Sequence, residues 1–122
     1  MLVTSYFAKA KALKAQGYTV ISIARGNPKE GDFIRYPKLQ PTQALLSEYK
    51  AGNITDEQYT KIYQRTILVH LSAYQVCKDL LALSNNNNNI ALCCFESSEK
   101  FCHRHIIANW LNANGIKCVE YK

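Results

Sequence analysis

The sequence predicts an α/β fold, a small three-layer sandwich with a mainly parallel sheet of about four strands flanked by helices. Three observations lead there. Ile90 to Phe95 is apolar at both parities, which suits a strand covered on both faces. Ile106, Ile107, Trp110 and Leu111 recur at the spacing of one helical stripe. The segments alternate in the order β-α-β-loop-α-α-α-β-α-β, the pattern of crossover connections in a parallel sheet. With 122 residues the chain is long enough for one core and too short for two, so a single domain over 1–122 is expected.

In chain order, Leu2 to Tyr6 reads as a short strand and Phe7 to Gln16 as a helix that Gly17 can end. Tyr18 to Ala24 is a second strand, and two parallel strands joined this way form a right-handed crossover. Residues 25–41 hold Gly26, Asn27, Pro28, Gly31, Pro37 and Pro41, a composition that breaks regular structure. Thr42 to Lys50 is a short helix ended by Gly52, and Thr55 with Gln58 forms a capping box for the next. Ser72 with Gln75 forms a second possible box, dividing the long helical region into Asp56–His70 and Ala73–Leu83. Unbroken, that region would run roughly 42 Å at 1.5 Å per residue, long for so small a domain. Tyr59, Ile62, Tyr63, Ile67, His70 and Leu71 recur at helical spacing and read as core packing rather than a base-stacking platform. The asparagine tract Asn85 to Asn89 is an exposed connector tolerant of left-handed backbone. Gly115 stops the last helix, and Ile116 to Tyr121 is a closing strand.

The chain contains no apolar run approaching about 18 residues and no signal-peptide pattern at its start, so a cytoplasmic protein without a membrane span is expected. Five cysteines, at 77, 93, 94, 102 and 118, form an odd set without a Cys-x-x-Cys pair. That usage fits a reducing compartment, with all five thiols free and no metal bound. A formal charge of +6 and a pI near 9.1 allow nucleic-acid binding. The lysines are spread over many segments, however, which fits a plain solvated surface equally well.

The chemistry gathers around Glu96 and the turn Cys102-His103-Arg104. At roughly 100° per residue, His103 falls near the centre of the apolar stripe, Cys102 and Arg104 on its borders, and His105 opposite. His103 should face the sheet and His105 water. A helix that starts beyond the carboxyl end of a strand offers free N–H groups and a positive dipole end, the usual place for a ligand in open α/β sheets. Arg25, leaving the second strand, should lie over the same sheet edge; the bland alternative is a loop arginine bound to backbone carbonyls.

Ala91-Leu-Cys-Cys-Phe-Glu96, then Phe101-Cys102-His103-Arg104-His105, with Ala108 and Trp110-Leu111 downstream, resembles the signature of the domain-of-unknown-function 488 family. Thr4-Ser5-Tyr6-Phe7-Ala8 and Ile21-Ser22-Ile23-Ala24-Arg25-Gly26-Asn27-Pro28 resemble its small-protein branch. The resemblance implies an intracellular α/β domain of bacterial or phage type, and it supplies positions rather than a mechanism.

Several chemistries compete for those positions. A cysteine-phosphatase or rhodanese-like loop would need a cysteine at the strand end and, for the phosphatase, an arginine six positions on; Cys94 has Lys100 there, and Glu96 and Glu99 would repel a phosphate. A zinc site from Cys94, Cys102, His103 and His105 is disfavoured because residues 103 and 105 diverge and paired spacing is missing. Cysteine-dependent chemistry by Cys102 with His103 and Glu96 draws on the lowered pKa of a thiol at a helix N-terminus. The preferred reading is a site for an anionic small molecule, nucleotide-like, held by Ser5, Tyr6, Arg25, Asn27 and Arg104, with Glu96 reading a ribose hydroxyl or a base amine. The alternatives are a cysteine-dependent enzyme and an accessory module that binds nucleic acid or protein. No cofactor is named by the sequence.

Overall fold

A computed structural model describes residues 1–26, 33–95 and 101–121. Its elements are β1 (Leu2–Tyr6), α1 (Ala10–Ala15), β2 (Thr19–Ser22), β3 (Ile34–Arg35), α2 (Gln43–Lys50), α3 (Asp56–Thr66), α4 (Ala73–Leu83), β4 (Ile90–Cys94), α5 (His103–Ala113) and β5 (Cys118–Glu120). The strands form one parallel sheet in the order β3-β2-β4-β1-β5. The α/β sandwich is as expected, with five strands where about four were anticipated. The extra strand, β3, lies in the stretch read as irregular. It has only two residues, both exposed, at the sheet edge beside β2, so it carries no alternation for the sequence to reveal.

The strand order fixes the layers. From β1 the chain steps over β4 to reach β2, whereas from β4 it steps over β1 in the opposite direction to reach β5. Crossovers of one hand that run in opposite directions lie on opposite faces. Accordingly, Ala10 and Leu13 of α1 pack with Val3, Val20, Ala91 and Cys93. On the other face, residues of α2 through α5, among them Leu45, Tyr63, Leu80 and Ile107, pack with Ile21, Leu92 and Cys94. Central β4 is buried at all five positions and paired on both sides, which accounts for its lack of polar alternation.

The helix boundaries follow their caps. Thr55 and Gln58 form the expected box, and the Ser72 hydroxyl accepts the Gln75 N–H, so α3 and α4 are separate, joined through a 3-10 turn at Leu68–His70. The first helix begins as a 3-10 turn, Phe7–Lys9, before α1. Asn85 and Asn86 do take left-handed backbone, with φ of 54° and 64°. Asn87 is more than a connector, because its side-chain amide donates to the Gly17 carbonyl and to Thr19 Oγ1 and ties the tract to β2.

Candidate functional site

The connections leaving β1 and β4 diverge to opposite faces, which makes the gap between these two neighbours the topological switch point where open α/β sheets bind ligands. Tyr6 and Cys94, the last residues of those strands, are register partners. The start of α5 lies over them on one face.

Arg104 is fully buried there. Its Nε donates to both Glu120 oxygens at 3.1 and 3.3 Å, and its Nη2 donates to Glu120 Oε2 at 3.0 Å. Nη1 donates to Cys94 Sγ at 2.9 Å, and the guanidinium carbon lies 5.7 Å from the Tyr6 ring centre. Thr4 Oγ1 donates to Glu120 Oε1 at 2.6 Å, which fixes the carboxylate from the neighbouring strand. The sequence reading placed Arg104 at the site but not its partner. Glu120 shares a parity, and so a sheet face, with buried Cys118, a signal that period-2 reading of β5 contains.

His103 is buried and faces the sheet, as its place in the apolar stripe requires. Its Nε2 lies 2.8 Å from the Ile23 carbonyl oxygen. A carbonyl only accepts, so Nε2 carries the proton and Nδ1 keeps its lone pair, 3.7 Å from Cys102 Sγ. Burial, with Arg104 and His105 adding to it, pushes the imidazole pKa down to about 4 against the Ile23 bond, which raises it. The ring is therefore neutral at ordinary pH. His105 is half-buried rather than in open water, and it lines a groove with Thr60, Gln64 and Trp110 between α3 and α5.

Cys94 and Cys102 are joined as a disulfide, leaving Cys77, Cys93 and Cys118 free. This corrects the expectation of five free thiols. A missing Cys-x-x-Cys says nothing about two cysteines that a strand end and a helix start bring together. One ligand atom from each of Cys94, Cys102 and His103 lies within 4.8 Å of the others. Three of the four residues weighed for zinc thus meet, and His105 is the one that diverges.

Beside them opens a cavity of about 390 Å³ lined by Arg25, Gly26, Gln43, Lys50, Cys94, Phe95 and His103. Arg25 donates from Nε to Gln43 Oε1 at 3.2 Å and from Nη1 to the Pro41 carbonyl at 3.3 Å, so the loop-stabilising role weighed for it is in place. Among the described residues its Nη2 has no partner. Lys50 and Gln43 carried no motif that marked them, whereas Phe95 lies in the signature stretch but was given no role at the site. Ser5 is not part of this assembly, because it is in register with Cys93 and so shares the α1 face, where its buried Oγ has no partner. Tyr6, one residue on, faces Arg104. Asn27 and Glu96 lie outside the described residues.

Together these features define an open parallel α/β domain in which a cystine and an imidazole meet at the carboxyl ends of β2 and β4. The chain belongs to the DUF488 family: residues 8–115 match the family described as the active DUF488-N3 subclade. No curated protein and no solved structure matches the chain. No helix among the described residues is long and apolar enough to cross a membrane.

Proposed function

We propose that the cavity at the carboxyl ends of the strands binds an anionic, nucleotide-like small molecule, on which the thiol–imidazole floor acts. The observation that carries this reading is the lining itself. Two cations, Arg25 and Lys50, share one concavity with a half-exposed aromatic ring, Phe95, and with Cys94 and His103. Its volume falls within the roughly 300–1,000 Å³ of small-ligand sites. A planar guanidinium and an ammonium suit phosphate oxygens, and the Phe95 face suits a base. Arg104 does not enter this reading as an anion-binding group, since its bonds to Glu120 and Cys94 hold it inside. Asn27 and Glu96 remain part of the proposal by their place in the sequence. A cytoplasmic, reducing setting belongs to it as well, because that setting keeps Cys94 and Cys102 available as thiols. The description of the matched subclade as active agrees with a site that does chemistry.

The test is thermal stabilisation by AMP, ADP, ATP and inorganic phosphate. A ligand at about 100 times its Kd adds about 2.7 kcal/mol to stability. Nucleotide should raise the melting temperature of the parent chain, and Arg25→Ala, Lys50→Ala and Phe95→Ala should each weaken the effect. Stabilisation absent for every probe, or unchanged in all three variants, rejects the reading.

A further inference from the structure

We propose that Cys94, Cys102 and His103 form a three-ligand centre for a thiolate-preferring divalent cation, zinc by its chemistry, beside this cavity, which Cys94 and His103 line. The inference deepens the ligand-site reading by naming a cofactor for it, but it rests on observations of its own.

The first is convergence. The two sulfurs and an imidazole nitrogen lie within 4.8 Å of one another, and all three residues are buried. Two thiolates and one imidazole, with one position left open, is a known donor set of catalytic zinc. The second is the orientation of His103. Metal-binding imidazoles generally donate their second ring N–H to a carbonyl or carboxylate, which fixes the tautomer and aims the other nitrogen at the ion. Here Nε2–H donates to the Ile23 carbonyl at 2.8 Å and leaves the Nδ1 lone pair on the side of the sulfurs.

The third observation is Arg104. A fully buried guanidinium that donates to Cys94 Sγ at 2.9 Å stabilises a thiolate far more than a neutral sulfur. The fourth is backbone spacing. The Cα atoms of Cys94 and Cys102 stand 7.6 Å apart, wider than the usual span of about 4.4–6.8 Å between disulfide-linked residues. At a Zn–S distance of about 2.3 Å, two thiolates on one tetrahedral ion are roughly 3.8 Å apart, which the wider backbone accommodates. Charge also balances, since two thiolates neutralise a divalent ion while Arg104 and Glu120 neutralise each other.

The disulfide is the two-electron oxidised form of the same pair. A thiol reductant of the glutathione class converts it to two thiols and is itself oxidised to a disulfide. Metal binding to the dithiol then releases two protons and forms two metal–sulfur bonds.

The experiment is titration of the phosphine-reduced chain with Co²⁺, followed by displacement with Zn²⁺. The expected result is one cobalt per chain with a near-ultraviolet thiolate-to-cobalt charge-transfer band, removed by zinc. Cys94→Ser and Cys102→Ser should each lower the intensity of this band to about that of one thiolate or less, and His103→Ala should weaken cobalt binding, while Cys77→Ser and His105→Ala leave both as in the parent. The parent chain supplies a second readout that needs no variant. With zinc present, mass spectrometry after alkylation should find Cys94 and Cys102 protected, and without zinc both should be modified. An absent charge-transfer band, or equal alkylation with and without zinc, overturns the metal centre. If that happens while nucleotide still stabilises the chain, only the metal is rejected. If cobalt binds normally but no nucleotide does, only the ligand reading is rejected.

Discussion

Changing Glu120 to Gln removes one charge from a pair whose other member cannot reach water. The Arg104 side chain is 0 % exposed and that of Glu120 18 %, and three of the guanidinium's hydrogen bonds end on this carboxylate. Removing one partner of a buried pair costs about 3–5 kcal/mol, because the remaining charge keeps its desolvation penalty and loses its compensation. Glu120 sits at the partly wetted edge of β5, so the low end applies, about 3 kcal/mol. In a chain of this size that lowers the melting temperature by about 10 °C. Urea unfolding measures it, with an unchanged slope confirming that the midpoint shift reports stability. Arg104→Met combined with Glu120→Leu should recover much of the loss, since both charges then leave the core together. A cost below about 1 kcal/mol for Glu120→Gln would place the pair with ordinary surface ion pairs and refute its role in holding the start of α5 against β5.

Three further outcomes are expected. In metal-free protein, His103 stays neutral in the fold down to a pKa of about 4, whereas the unfolded chain takes up its proton near pH 6.5. Its contribution is therefore complete above pH 6.5 and lost as pH falls towards 4, at up to about 1.4 kcal/mol per pH unit, and His103→Gln should flatten that slope in pH-dependent unfolding. At neutral pH His103→Ala should cost about 1–3 kcal/mol and His105→Ala about 0.5 kcal/mol; the reverse order in thermal melts would contradict the helix register. Ser5→Ala removes a buried hydroxyl that has no partner, so stability should be unchanged or higher, and nucleotide binding should be unaffected; weaker binding would return Ser5 to the site.

The sequence was informative wherever one local rule acted without competition. Apolar residues at both parities located β4, and the Thr55–Gln58 and Ser72–Gln75 pairs located the starts of α3 and α4. The stripe of α5 turned His103 inward. What escaped depended on pairing between distant segments. Ile34–Arg35 becomes a strand only because β2 offers it an edge. Cys94 and Cys102 meet because one element ends where the other begins, and no spacing rule encodes that. The placement of Ser5 was available in principle, since period-2 alternation sets it apart from Tyr6, and grouping both at one strand end overlooked the side each faces.

The same alternation divides the adjacent thiols of β4. Cys94 looks towards α5, whereas Cys93 looks towards α1, fully covered, with burial pushing its thiol up to about 12. An alkylating reagent needs both access and a thiolate, and in the folded chain Cys93 offers neither. Because its side chain is covered by α1, exposing it requires lifting that helix off the sheet, while the strand pairing on both sides can stay in place. Cys93 is thus a clock set into the protein: its alkylation rate counts openings of the α1 layer, while its neighbour one peptide bond away reports the state of the site.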